Sequence, residues 1–314
     1  IINIILNGKP TSMNYEQLVT LLKGMPASRV ERAEVMYNTP PQYHVRGAAI
    51  NVILKGYKPG EGGLQGEISG NYVQADKAGE EGGVTFAYLS PKLDIDFMYN
   101  LNNRYNRQGY ELITRHTLNH EIHNISQSTN GENRQLVHTF RFGGNYKLNE
   151  QSQLGLSYTS SLNPDKRQSV TSSDNHSTTF NHAPAEEQMH NVALNYTSGF
   201  GLTGGIDYTY FRNKEEQSFR SIETNGQETT FLSNTAQYIN RWKVYVDQSH
   251  TLSNAWILNY GTSFAYVNNR NSQRYNLAAM SGMNKESRVD EYTYNLYTGF
   301  EKNFGSQWSL NASA

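Results

Sequence analysis

The fold of this chain is constrained most by an alternation of apolar and polar residues that continues through most of its length. Leu93, Ile95 and Phe97 fall on one face of an extended segment, and Asp94 and Asp96 fall on the other. A period of two places alternate side chains on opposite faces of a β-strand. The same period recurs in four later stretches, Val192–Tyr196, Ile206–Tyr210, Trp256–Tyr266 and Tyr292–Phe300. The pattern predicts a large sheet, although a half-buried sheet of a soluble protein alternates in the same way.

The composition excludes one class of membrane protein and is compatible with another. Hydrophobic residues make up 36% of the 314 residues, and no segment approaches the roughly 18 consecutive apolar residues that a membrane-spanning helix needs. This excludes a helical membrane protein but not a membrane barrel, whose alternating strands have a low mean hydropathy, here −0.70. The chain contains 22 Tyr, 12 Phe and 3 Trp. Tyr and Trp concentrate where one end of a ring is apolar and the other is wet, as at a membrane surface.

Other functional classes receive no support from the sequence. The chain has no cysteine, which excludes disulfides and thiolate metal sites within it. Its net charge of −1 gives no electrostatic reason to expect a nucleic-acid partner. No Ser/His/Asp set, phosphate-binding glycine loop or paired-carboxylate motif stands out, so we expect neither an enzyme nor a cofactor. The chain begins at Ile1 without a signal peptide, and we expect an exported protein to have lost that part.

The connections between the predicted strands alternate in length. The short ones are Ser90–Lys92, Leu148–Ser152, Ser198–Gly201, Leu252–Ala255 and Asn303–Gln307. The longer polar ones are Gln74–Glu81, Tyr105–Asn133, Asn163–Glu187, the hairpin tip at Asn225–Gly226, and Tyr275–Glu286. Outer-membrane barrels have short periplasmic turns and long extracellular loops. The alternation therefore predicts an antiparallel membrane barrel of about eleven strands in this chain, several of them longer than the ~10 residues that cross a membrane.

The N-terminal residues have a different pattern. Ile1–Leu6 is a short apolar strand, and Tyr15–Lys23 has apolar residues at helical spacing. Val30–Tyr37 and Ala49–Leu54 return to strand character. We therefore expect a small α+β unit over residues 1–56, a linker over 57–63 and the large sheet over 64–314.

Residues 30–55 resemble the closing segment of the plug domain in TonB-dependent outer-membrane receptors. The positions that match are Glu31, Arg32, Glu34, Val35, Gly47, Ile50, Asn51, Val52, Ile53 and Lys55. Two elements depart from the family pattern: Tyr37–Pro40 stands where an Arg-Gly-Pro turn is usual, and Gly47–Ala49 replaces a double glycine. The match is to a divergent branch, similar to receptors of Bacteroidetes-like bacteria.

The resemblance implies a fold, a location and a function. It implies an all-β chain that is part of a transmembrane barrel of about 22 strands with a plugged lumen. About eleven strands enclose too little space for a folded plug, so we expect further wall strands. The implied function is TonB-energised import of a scarce solute across the bacterial outer membrane. The implied partners are a TonB-type energising complex, outer-membrane lipid and a surface substrate-binding lipoprotein.

An alternative hypothesis is a non-transporting outer-membrane barrel. Such a protein would be an adhesin or an assembly partner whose plug-like start is vestigial. A TonB-contacting segment, or loss of uptake without the energising complex, would distinguish the two. The cargo stays open among metal chelates, vitamins, glycans and peptides.

The plug motif supplies the candidate functional residues. They are Arg29, Glu31, Arg32, Glu34, Arg46, Gly47 and Asn51. In the family, charged plug residues pair with lumen-facing barrel charges and hold the plug until force loosens it. The alternative is that these are ordinary solvated charges in a wet lumen, since an ion pair is weak evidence for stability.

Two further groups of residues are weaker candidates. His116, His120 and His123 lie close in sequence; on a helix they would share one face and suit zinc or copper, but solvated histidines are the simpler interpretation. The lumen-facing cations Arg141, Lys147, Arg241 and Lys243 suit an anionic solute, or belong to the mixed charge of a hydrated lumen. Trp242, Trp256 and Trp308 are predicted to be membrane-interface residues.

Overall fold

The computed structural model describes residues 2–11, 15, 18–19, 22, 30–45, 47–55, 62–118, 121–304 and 308–313. They form two separate sheets. The smaller sheet contains β1 (Asn3–Leu6), β2 (Lys9–Pro10), β3 (Val30–Met36) and β4 (Ala49–Leu54), in the order β2-β1-β4-β3. β1 and β4 are parallel, and the other pairs are antiparallel. We call the described residues from 2 to 55 the N-terminal unit.

A two-residue turn, Asn7–Gly8, connects β1 and β2 of the N-terminal unit. Asn7 and Gly8 have positive φ angles of 51° and 76°, and Leu6 pairs with Lys9 across them. Asn-Gly favours this turn because both residues tolerate positive φ. The predicted helix Tyr15–Lys23 is described at residues 15, 18, 19 and 22, all helical; its other residues lie outside the described part of the chain.

The core of the N-terminal unit is completed by a residue of the larger sheet. Ile4, Leu6, Leu18 and Val52 form a buried cluster together with Met98, which is 0% exposed. Met98 lies in the third strand of the larger sheet. A unit of this size buries little apolar surface alone. Packing against the larger sheet therefore contributes directly to its stability.

The larger sheet, called the wall below, is an antiparallel meander. Its strands are β5 (Gly63–Gln74), β6 (Ala78–Leu89), β7 (Leu93–Leu118), β8 (Glu121–Lys147), β9 (Gln153–Ser173), β10 (Ser177–Thr197), β11 (Leu202–Glu223), β12 (Glu228–Thr251), β13 (Trp256–Tyr275), β14 (Lys285–Phe304) and β15 (Trp308–Ser313). Each strand pairs with its neighbours in sequence. Within the described residues β5 and β15 are the two edges, so the sheet is not closed. The prediction of an eleven-stranded antiparallel partial barrel is confirmed.

One face of the wall carries continuous apolar rows. Successive register partners from β6 to β14 are Phe86, Phe97, Phe142, Tyr158, Val192, Tyr208, Trp242, Tyr266 and Tyr292. The adjacent row is Tyr88, Ile95, Gly144, Leu156, Leu194, Ile206, Val244, Phe264 and Tyr294. Trp242 is 48% exposed and Leu194 is 43% exposed. Exposed apolar rows of this extent mark contact with lipid or another apolar surface. We call this the outer face.

The opposite, inner face is polar. Asn259 donates a hydrogen bond to Glu301, and Asn295 donates one to the Ser263 hydroxyl. Asn259 and Ser263 are buried although they are polar. Their positions agree with the alternation, which places these side chains opposite the aromatic residues. In the described part of the chain no helix has the length and apolar character needed to cross a membrane.

The predicted long loops are mostly strand. β7 continues to Leu118 and β8 starts at Glu121, so most of Tyr105–Asn133 is a hydrogen-bonded hairpin. Likewise, only a three-residue turn, closed by the Asp174 carboxylate accepting backbone N–H groups, separates β9 from β10 within Asn163–Glu187. Strand segments outside lipid need no apolar face, so their polar composition resembles that of a loop. Tyr275–Glu286 does contain an irregular stretch, with a 3-10 helix at Ala278–Met283.

Candidate functional site

The N-terminal unit meets the inner face of the wall at His44. A 3-10 helix at Pro41–Tyr43 leads into His44, whose φ of 53° is uncommon for a residue other than glycine. This backbone directs the imidazole to the wall, where Nε2 lies 2.7 Å from Oδ2 of Asp247 on β12. Both side chains are buried. Because a carboxylate only accepts hydrogen bonds, Nε2 is the atom that carries the proton in this contact.

Three more wall residues complete the contact. Tyr297 donates its hydroxyl to Asp247 Oδ1 at 2.9 Å, and its ring packs edge-on against His44. Tyr245 packs against the imidazole with a centroid distance of 4.7 Å. Lys243 donates from Nζ to the His44 carbonyl oxygen at 2.9 Å. We call these five residues the His44 cluster. The cluster holds the strained segment at His44 through two groups of that residue, the imidazole ring and the backbone carbonyl oxygen.

A glycine leaves room for the His44 cluster. Gly261 on β13 is the register partner of Asp247. A Cβ atom at Gly261 would overlap Asp247 Oδ1 and lie 2.7 Å from a ring carbon of Tyr297. The absence of a side chain at Gly261 therefore leaves space for the Asp247 carboxylate, which lies between Tyr245 on β12 and Tyr297 on β14 and reaches His44.

Replacing Gly261 by alanine is expected to displace Asp247 from His44. Overpacking of this kind costs about 1–3 kcal/mol, so amide exchange at Gln42–Val45 should rise roughly tenfold or more. Hydrogen exchange with mass spectrometry on the full-length protein measures this. Gly82→Ala is the matched control, because a Cβ at Gly82 would have its nearest neighbour at 3.9 Å. Equal exchange in the two variants would contradict the assigned role of Gly261.

A second contact lies at the other end of the N-terminal unit. Lys9 donates from Nζ to Asn145 on β8 at 3.4 Å. Burial lowers the pKa of Lys9 from 10.5 to about 8, because removal from water disfavours the charged ammonium. Close by, Arg141 and Asp96 form a buried ion pair on the inner face, with Arg141 Nε 3.0 Å from Asp96 Oδ2.

The Lys9 contact predicts a pH dependence. Below pH 8 Lys9 is protonated in both folded and unfolded states, and the full cost of burying its charge is present. Between pH 8 and 10.5 the folded state loses the proton first, so stability rises with pH, by up to roughly 3 kcal/mol. Protease resistance of the N-terminal unit should increase over this window. Lys9→Met should remove the increase and Lys92→Met, at an exposed turn, should keep it; an unchanged slope in Lys9→Met would contradict the assignment.

A cavity of about 430 Å³ lies between the N-terminal unit and the wall. Its lining includes Lys9 and His44 from the unit, and Asp207, Arg241 and Lys243 from the wall. The lining is polar and carries charges of both signs. It can hold water or a small polar solute.

The charged residues of the plug motif pair mainly with one another. Arg32 Nε lies 2.7 Å from Glu34 Oε1, and Arg32 Nη1 lies 2.5 Å from Glu31 Oε1, at exposed positions. The Arg32 guanidinium holds the pKa of Glu34 below its usual range. Arg29 and Arg46 lie outside the described residues. Pairing of this motif with barrel charges therefore stays a prediction.

The uncharged motif residues shape the backbone of the unit. Asn51 is buried; its amide donates to Glu34 Oε2 at 2.8 Å and its carbonyl oxygen accepts from the Gly8 N–H. Gly47 has a φ of 86°, and its carbonyl oxygen accepts hydrogen bonds from the Thr39 N–H and hydroxyl. These contacts connect the two ends of the segment between β3 and β4.

The remaining candidates have different surroundings. The strand register pairs His116 with His123, and His120 lies outside the described residues. Among the residues that the structure describes, no three His, Cys, Asp or Glu side chains form a metal-binding group. Trp242 belongs to the apolar row from Phe86 to Tyr292 on the outer face, and Trp256 lies on the same face with Lys302 Nζ 4.8 Å from its ring. Lys243 contacts the N-terminal unit, and Arg141 is paired on the inner face.

No protein-family model and no curated protein matches the sequence. The solved structure of the ferric yersiniabactin uptake receptor FyuA from Yersinia pestis has a TM-score of 0.51 at 8% identity, over 99% of this chain and 55% of that one. The chain has a TonB-dependent receptor-like fold.

Two other receptors with this fold give lower scores. The siderophore receptor PiuA from Acinetobacter baumannii has a TM-score of 0.49 at 11% identity, over 99% of this chain and 56% of that one. The ferric citrate transporter FecA has a TM-score of 0.47 at 10% identity, over 99% of this chain and 53% of that one. The chain therefore spans about half the length of the receptors it resembles.

Proposed function

We propose that this chain is part of an outer-membrane receptor that imports a scarce solute, with the N-terminal unit as the end of its plug and the wall as part of its barrel. The observation that carries the proposal is the His44 cluster, which joins the N-terminal unit to the polar inner face of a sheet whose outer face is apolar. A sheet with this arrangement suits lipid outside and a hydrated lumen inside. The proposed location is the bacterial outer membrane.

The contacts also support a mechanism of opening. Among the described residues, the N-terminal unit meets the wall through the apolar contact of Met98 and a few polar contacts, at His44, Lys9 and Gln42, the last donating to Glu301 at 3.4 Å. Polar contacts exchange readily for water, so a pull on the unit can separate them one at a time. The cavity between the unit and the wall would then widen into a path. We propose a TonB-type energising complex as the source of the pull.

A buried cysteine introduced into the unit tests this mechanism without knowledge of the cargo. Val52 is fully buried in the core of the unit, and the chain has no cysteine of its own. In cells expressing the full-length Val52→Cys receptor, a membrane-impermeant maleimide should label the thiol when the energising complex is intact. Labelling should fall several-fold in a strain lacking that complex.

The control for this experiment is Tyr72→Cys on β5. Tyr72 is exposed, so its labelling should be equal in both strains. Equal labelling of Val52→Cys in the two strains, with the control fully labelled, would argue against energised remodelling. It would favour the non-transporting barrel instead.

A further inference from the structure

The cavity between the N-terminal unit and the wall is lined by more positive than negative charge. The cationic side chains of its described lining are those of Lys9, Arg141, Arg241 and Lys243. The carboxylates of the same lining are those of Asp96 and Asp207. Four cations therefore face two carboxylates. Charge that is partly withdrawn from water is costly unless a counter-ion accompanies it.

Both carboxylates of the lining are already engaged by other groups. Asp96 forms the buried ion pair with Arg141. Asp207 Oδ2 accepts a hydrogen bond from the amide of Asn191 at 2.8 Å. Lys243 is the register partner of Asp207, but its ammonium donates to a carbonyl oxygen of the N-terminal unit. Within the described residues, the other cations of the lining are left without a carboxylate partner.

The Lys9 ammonium is built into one side of the cavity. Gly155 on β9 leaves space for it, because a Cβ atom at Gly155 would lie 2.8 Å from Lys9 Nζ. The hydrogen-bond partner of this ammonium among the described residues is the neutral side-chain oxygen of Asn145, at 3.4 Å. An ammonium has three N–H donors. One long hydrogen bond to a neutral group therefore leaves donors of Lys9 for a ligand in the cavity.

Arg241 faces the same cavity from β12. Its guanidinium makes no hydrogen bond or ion pair with any residue that the structure describes. Lys243 lies two positions further along the strand on the same face, so the two cationic side chains leave the backbone about 7 Å apart. A guanidinium has five N–H donors and matches two oxygens of one anion. A bound oxyanion would use these donors and reduce the repulsion between the two cations.

We propose that this cavity binds a small multivalent oxyanion, of the phosphate or dicarboxylate class, held by Lys9 on the N-terminal unit and by Arg241 and Lys243 on the wall. The cavity volume of about 430 Å³ has room for such an anion together with several water molecules. Because the cations come from both sides, the anion connects the N-terminal unit to the wall. The inference needs only this packing and does not depend on the import of a cargo.

Inorganic phosphate and succinate test the proposal on the full-length protein in detergent. Each is titrated at pH 7 and constant ionic strength, with chloride as the compensating anion, and binding is followed by isothermal titration calorimetry. At least one of the two should saturate a single site. Its binding should raise the resistance of the N-terminal unit to limited proteolysis several-fold, because a ligand of the packed state stabilises that state. The tighter of the two shows whether the site takes a compact or an extended anion.

Two variants with opposite expected effects locate the site. Arg241→Gln should weaken binding at least about tenfold, because it removes a guanidinium that has no other partner. Asp207→Asn removes a competing carboxylate and should tighten binding several-fold, a gain that damage to the fold would not produce. Arg270→Gln is the matched control and should bind like the parent. Arg270 lies on the outer face of β13 and likewise makes no hydrogen bond or ion pair with the described residues.

Three outcomes would overturn the anion site. They are the absence of saturable binding of either anion above chloride, equal affinities of the parent and Arg241→Gln, and weaker binding by Asp207→Asn. None of them bears on the energised remodelling that Val52→Cys reports. Failure of this inference is therefore distinguishable from failure of the proposed function.

Discussion

Replacing Asp247 by alanine is expected to detach the His44 segment from the wall and to raise passive leakage through the full-length receptor. The change leaves the His44 ring and the Tyr297 hydroxyl without their acceptor in a buried setting. Removing one partner of a buried polar contact costs about 2–4 kcal/mol, which corresponds to an increase of about one to three orders of magnitude in the open population. Conductance in planar bilayers and sensitivity of cells to a large antibiotic measure the effect.

Asp290→Ala is the matched control for this prediction. Asp290 also accepts hydrogen bonds from a tyrosine hydroxyl, that of Tyr266, and from the amide of Asn268, but it lies on the outer face. Its loss should leave conductance unchanged. If Asp247→Ala and Asp290→Ala conduct equally at normal surface expression, the His44 cluster does not hold the N-terminal unit in place.

Replacing Met98 by alanine is expected to loosen the whole N-terminal unit. Met98 is the wall residue within the core formed by Ile4, Leu6, Leu18 and Val52. Truncation of a buried methionine costs about 2–5 kcal/mol through lost burial and the remaining cavity. A unit of this size has little stability to lose. Limited proteolysis of the full-length receptor should therefore cleave within the unit at least tenfold faster, while the wall remains intact.

Phe97→Ala separates this effect from damage to the strand. Phe97 is the neighbour of Met98 on β7, lies on the outer face and stacks on Phe86 at a centroid distance of 5.1 Å. It loses more atoms than Met98, but none that contacts the N-terminal unit. Equal cleavage of the unit in both variants would mean that the shared core contributes nothing to its attachment.

The sheet was predictable from the sequence, whereas the extent of its strands was not. Alternation over Leu93–Leu101 and Trp256–Tyr266 fixes which side chains share a face, because the period of a strand is two. Beyond the apolar rows, Tyr105–Leu118 lacks that contrast. In water both faces of a hairpin are free to be polar, and the backbone ladder between β7 and β8 continues there without an apolar face. The composition of Tyr105–Leu118 therefore does not predict a strand.

The attachment site was less predictable than the fold. The sequence indicated Lys243 as a lumen-facing cation, and the structure shows it bonded to the His44 carbonyl oxygen. His44 and Asp247 lie 203 positions apart, and only the packing of the N-terminal unit against the wall brings them together. His44 does stand inside the plug motif, beside the elements that depart from the family pattern. The signal available in the sequence was a histidine next to a turn that diverges from the family pattern.

The parallel pairing of β1 with β4 has a consequence for the order of folding. Asn3 pairs with Ala49, so the N-terminal sheet forms only after a long segment has been closed into a loop, at an entropic cost that local contacts do not offset. The core of this sheet is complete only when Met98, which is synthesised later, has packed against it. The N-terminal unit is therefore synthesised before the wall but reaches its native packing only after β7 is in place, so assembly of the wall sets the pace for it.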